Sequence, residues 1–154
     1  MTQDDIRAHL ASHPQVHVLL SAPGDGTPEM AWGDTFFSII DATTGEPGKM
    51  PFATIVIKDY GDFDNASALN RGGLYRLNVE VGREKFEQLF GFKPAELEAH
   101  RGRFDFTEAD RLFPHPAYGS SGWVSIINPA ASSRGLVTEL LDGSRDRALQ
   151  RSSR

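Results

Sequence analysis

The chain has 154 residues and a formal charge of −5, from 16 basic and 21 acidic side chains. That size suits one domain, and the acidic balance argues against a general polyanion binder. With no cysteine, disulfide scaffolds, thiolate nucleophiles and cysteine-ligated metals are excluded, and no run reaches the roughly 20 apolar residues of a membrane span.

Thr2-Gln3-Asp4-Asp5 is acidic where a leader would be basic, which is the pattern of a cytoplasmic chain. It also spells a capping box ahead of a helix with Ile6 and Leu10 on one side, ending before Pro14. Val16 to Leu20 predicts a strand, Pro23-Gly24-Asp25-Gly26 a turn, and Glu29 to Ile40 a second extended run. Gly33 interrupts that run and predicts a bulge or a close approach to the backbone. Phe52 to Ile57 is apolar and β-branched, hence a central strand, and Asp64 is placed to cap a short turn through Leu69. Leu74 to Val81 alternates most clearly: Tyr75, Leu77, Val79 and Val81 face one way, Arg76, Asn78 and Glu80 the other.

Helices follow over Arg83–Phe90 and Pro94–His100, and Asp105 to Glu108 is a second capping box opening one more short turn. Pro114-His115-Pro116 is too stiff for regular structure, Gly122 to Asn128 predicts a last strand, and Ser132 or Ser133 caps a helix through Leu141. The domain so defined spans 1–144, and the Arg- and Ser-rich segment 145–154 is expected to fray. Terminal helices around consecutive strands predict an α+β two-layer sandwich. Its mainly antiparallel sheet has about five strands, with the N- and C-terminal helices on one face.

Five strings recur together: Trp32-Gly33-Asp34-x-Phe36-Phe37, Met50 to Val56 leading into Lys58-Asp59-Tyr60, Arg76-Leu77-Asn78, Pro114-His115-Pro116-x-Tyr118, and Gly122-Trp123-Val124-Ser125-x-x-Asn128-Pro129. In that order they resemble an uncharacterised actinobacterial family, a domain of unknown function, over almost the whole chain. The resemblance implies a relative without a transferable activity. The opening helix before Pro14 and the late Gly122-Trp123-Val124 strand are more distantly similar to the MmcQ/YjbR-like proteins. That likeness implies a two-layer sandwich related to secretion chaperones and CyaY-like proteins, some of whose relatives are called DNA-binding.

Three groups could carry chemistry. His115 sits between two prolines that stiffen its backbone, and an ordinary histidine pKa suits proton transfer near neutrality. Lys58 and Asp59 end the central strand with Tyr60, either as a solvent-facing ion pair or as a desolvated amine at a cleft. Arg76 and Asn78 share a strand face that either meets solvent or lines a pocket, where Arg76 would offer a fork to an anion. The sequence reading therefore gathers His115, Lys58 and Asp34 as catalytic candidates, with Trp32, Asp59, Tyr60, Arg76, Asn78 and Tyr118 as ligand-binding ones.

No metal or cofactor is expected. His9 and His13 lack a third ligand, and the Gly24-x-Gly26 and Gly72-Gly73 pairs lack the helix start and lysine of a phosphate loop. The expected function is binding of a small molecule, either as an acid–base enzyme without cofactor or as a protein that sequesters a metabolite. The alternatives are a chaperone-like interaction module, for which a homodimer would speak, and a DNA-binding protein. The last is disfavoured by the charge and by only four lysines, and would need Arg71, Arg76, Arg101, Arg103 and Arg111 on one face.

Overall fold

Thr2 caps the first helix as its sequence dictates. Its Oγ1 accepts from Asp5 N at 3.1 Å, and the Asp5 carboxylate accepts from Thr2 N at 2.9 Å. Helix α1 (Gln3–Ala11) thus opens on a complete capping box and buries Ile6 and Leu10 one turn apart. The computed structural model describes residues 1–153. Six strands follow: β1 (Val16–Leu20), β2 (Thr35–Ile39), β3 (Ala53–Val56), β4 (Arg76–Glu80), β5 (Phe113–Pro114) and β6 (Trp123–Ile127). They form one sheet in the order β1-β2-β3-β4-β6-β5, every neighbouring pair antiparallel. Helices α2 (Gly82–Phe90), α3 (Leu97–His100) and α4 (Arg134–Ser152) complete the α+β fold.

The period-two rule separates the faces of the sheet. Phe37, Ile55, Leu77, Val79, Val124 and Ile126 point toward Ile6, Leu10, Phe86, Leu140 and Leu141, forming the main core between sheet and helices. Helix α4 is tied to that layer by Ser144, whose Oγ donates to the Glu80 carbonyl at 2.6 Å. It does not fray at residue 145. Ala148 is buried and Arg147 donates to Glu80 Oε1 at 2.6 Å, so the helix runs on to Ser152.

Three local expectations are corrected. Ser133 does not cap α4 through its side chain, because its Oγ donates to Asp110 at 2.6 Å. Asp105 opens the expected short turn, but by accepting from Thr107 N at 2.9 Å and not through a capping box with Glu108. Phe113–Pro114 is regular structure, a short edge strand paired with β6, and an edge is where a residue without N–H fits a sheet.

Gly33 behaves as its place in the sequence predicts. Its φ is +92°, and a Cβ there would lie 2.5 Å from Ile57 Cδ1. The isoleucine tip could move, but the positive φ would remain strained for alanine. Gly33→Ala should therefore cost about 1–3 kcal/mol in a urea unfolding curve. A change within error would mean the turn relaxes freely.

Candidate functional site

No α-helix contributes to the core on the second face of the sheet, and several polar side chains run across it in register. Phe36, Thr54, Asn78 and Ser125 make one cross-strand row, with Val56, Arg76 and Ile127 in the next. The connection from β3 to β4 folds over the second row, where Val56, Leu69, Phe113 and Ile127 form a smaller buried cluster. That cover makes the Arg76–Asn78 face interior and not solvent-facing.

Beside the cover a cavity of about 320 Å³ opens on the first row. Its volume lies in the range of small-molecule sites. Phe36, Thr54 and Val56 line it from the sheet, Tyr60, Phe63 and Asp64 from the connection, and His115, Tyr118 and Trp123 from the β5–β6 segment. Asn78, Met50 and Pro51 complete the lining. The walls are mostly apolar, and the few polar groups converge on one end.

Arg76 organises that end while fully buried. Its Nη1 and Nη2 donate to Asp64 Oδ1 and Oδ2 at 3.0 and 2.5 Å, a bidentate pair. Nη1 also donates to Ser67 Oγ at 3.0 Å, and Nε to Asn78 Oδ1 at 2.8 Å. Asn78 Oδ1 accepts in addition from Ser125 Oγ at 2.7 Å, while its amide donates to Thr54 Oγ1 at 3.0 Å. Burial alone would raise the Asp64 carboxyl, but the Arg76 guanidinium more than offsets it and holds that carboxyl below its ordinary pKa. Asp64 is thus not the helix cap that its spacing suggested. It is the counter-ion that pins the connection onto the sheet.

His115 stands next to this pair, almost fully buried, with Nε2 3.3 Å from Arg76 Nη2 and 3.8 Å from Asp64 Oδ2. Its Nδ1 accepts from the Ala117 and Tyr118 amides, each at 3.0 Å, so the proline-flanked turn aims the ring. Burial and then the Arg76 charge push its pKa down to about 3, with Asp64 pulling weakly the other way. The near-neutral pKa expected from the sequence does not hold here.

Asp34 and Lys58 lie outside the cavity lining. Asp34 is fully buried at the start of β2, accepting from Ile57 N at 2.9 Å and from the Tyr60 hydroxyl. Burial raises its pKa against those bonds, and burial likewise raises that of Tyr60. Lys58 Nζ donates to the Trp32 carbonyl and stays 3.8 Å from Asp34 Oδ1, with its side chain 29% exposed. Asp59 accepts from Leu69 N at 2.8 Å and closes the base of the connection. Of the expected group, His115, Tyr60, Tyr118 and Asn78 meet at the cavity, with Arg76 beneath it. Lys58, Asp34, Asp59 and Trp32 support the frame instead. The pairing of Arg76 with Asp64 is the feature that sequence reasoning missed, and only the charge of Asp64 twelve residues earlier hinted at it.

Fold and site together define an all-antiparallel α+β sandwich with helices on one face and an apolar, polar-ended cavity on the other. Among the described residues no helix is long and apolar enough to cross a membrane. The chain belongs to a family of unknown function (DUF6194), whose profile spans residues 1–154. No curated protein and no solved structure gives a significant match.

Proposed function

We propose that this protein binds a small, mainly apolar and uncharged molecule in the cavity on the open face of the sheet. The observation that carries the reading is the cavity itself, about 320 Å³ walled by aromatic and aliphatic side chains with polar groups at one end. Its one full cation and one full anion, Arg76 and Asp64, are spent on each other. A charged ligand would lose its water without gaining a free counter-charge. A histidine held neutral to about pH 3 serves better as a fixed hydrogen-bond group than as a proton shuttle. Binding or sequestration is therefore the favoured role over acid–base catalysis.

The mouth supports a second reading. Met50, Phe63 and Tyr118 are 80%, 64% and 47% exposed around it. Such a rim suits closure over a ligand, and it also suits a chaperone-like contact or homodimer through this face.

Titration with the uncharged fluorophore Prodan distinguishes the two. Saturable one-to-one binding by the monomer is expected, lost in Thr54→Phe, which fills the cavity, while the circular dichroism spectrum is kept. Equal binding by Thr54→Phe, or emission changes only in a concentration-dependent dimer, would overturn the cavity reading in favour of the rim.

A further inference from the structure

We propose that the polar end of the ligand is an uncharged oxygen acceptor, a carbonyl, seated on the Nε2–H of His115. The inference rests on the cavity reading above and names what that cavity recognises. With Nδ1 accepting two backbone N–H groups at 3.0 Å, a neutral imidazole carries its proton on Nε2. The opposite tautomer would crowd three N–H groups around one nitrogen. Nε2 is therefore a donor.

Its neighbour is a donor as well. An Nη2–H of Arg76 points at Nε2 from 3.3 Å, and two N–H groups that face each other satisfy neither. The nearest carboxylate oxygen, Asp64 Oδ2, is 3.8 Å away and already held by Arg76 at 2.5 Å. Among the described residues no acceptor comes within hydrogen-bond distance of Nε2–H. An unmade bond on a buried donor is costly, so His115 presents a vacancy for an acceptor that the chain does not supply.

The surroundings select the kind of acceptor. A carboxylate at Nε2 would stand close to the Asp64 carboxylate, in a site whose only guanidinium is committed. An oxygen without formal charge avoids that repulsion, gains the Nε2–H bond, and leaves its hydrocarbon part against Phe36, Val56 and Trp123. The ligand class is thus an apolar ketone, ester or amide.

Three isosteric probes test this by chemical-shift titration of ¹⁵N-labelled protein: acetophenone, α-methylstyrene and benzoate. Acetophenone should bind about 10-fold more tightly than α-methylstyrene, in which CH₂ replaces the oxygen, and more tightly than benzoate. In His115→Asn the shorter side chain can still accept from Ala117 and Tyr118 but has no Nε2–H. The acetophenone preference should vanish there while α-methylstyrene still binds. His115→Gln should do the reverse, keeping a donor and losing the turn, with a lower Tm and a surviving preference. The ¹⁵N shifts of the wild-type ring read the tautomer with no variant at all, and a protonated Nδ1 would overturn the proposal. Equal affinity for acetophenone and α-methylstyrene would overturn the acceptor site and leave the cavity reading standing. Tighter binding of benzoate would overturn the uncharged class, and no binding of any probe would overturn both readings.

Discussion

Arg76→Met is expected to lower the unfolding free energy by about 3–5 kcal/mol, the usual cost of removing one partner from a buried ion pair. The number follows from what would be left behind. Asp64, with only 9% of its side chain exposed, would lose both of its guanidinium bonds. Ser67 and Asn78 would each lose a donor in the same step. For a domain of this length the Tm should drop by roughly 6–20 °C. The second change, Asp64→Leu on top of Arg76→Met, should recover a good part of that loss, because it removes the orphaned charge. If Arg76→Met alone were as stable as the wild type, the pair would be incidental to the fold. Hydrogen exchange offers a local readout: the amides of residues 60–71 should lose protection first, since Arg76 is what holds that connection against the sheet. Prodan binding should fall with them, because Tyr60, Phe63 and Asp64 are one wall of the cavity.

The sheet layer could be read from the sequence because its signals are local. Alternation over Leu74–Val81 assigns Leu77 and Val79 to the core, and the Thr2–Asp5 box and the Gly91 end mark helix limits. What periodicity cannot say is whether the other strand face meets water. Arg76 and Asn78 alternate as outward residues should, and an antiparallel sheet with helices on one side usually leaves the other wet. Burial came instead from the connection 57–75, whose path depends on a non-local ion pair. Lys58, Asp59 and Asp34 show the same gap: a charged residue at a strand end reads alike whether it lines a cleft or ties a loop. Asp34 ties Tyr60 and Ile57, and Asp59 ties Leu69. The stiffness of the prolines flanking His115 is legible in the sequence, yet its charge state depends on Arg76, which lies 39 residues away in the chain and directly beside it in the fold.

That charge state makes stability depend on pH, with a sign that can be worked out. His115 in the folded protein titrates at about 3, against an ordinary value of 6.5 in the unfolded chain. Between those limits the unfolded chain holds the extra proton, so stability rises with pH. The contribution is complete above about pH 6.5 and is lost as the pH falls toward 3, at about 1.4 kcal/mol per pH unit. Asp64, whose pKa is lowered on folding, loses its contribution in the same direction but only once the pH falls below its ordinary value of 3.8. Asp34 works the other way: its raised pKa means that folded protein holds the extra proton above 3.8, so its share of stability declines as pH rises through that window. Subtracting two curves isolates the histidine. The difference in unfolding free energy between wild type and His115→Asn, measured in urea at pH steps from about 7 down to about 4, should shrink steadily, because the asparagine does not titrate. Parallel curves would mean that His115 accepts a proton in the folded state as readily as in the unfolded one. The Arg76 guanidinium beside it would then have no hold on its charge, and below its ordinary pKa the folded ring would carry protons on both nitrogens, at the expense of the two backbone bonds that Nδ1 accepts.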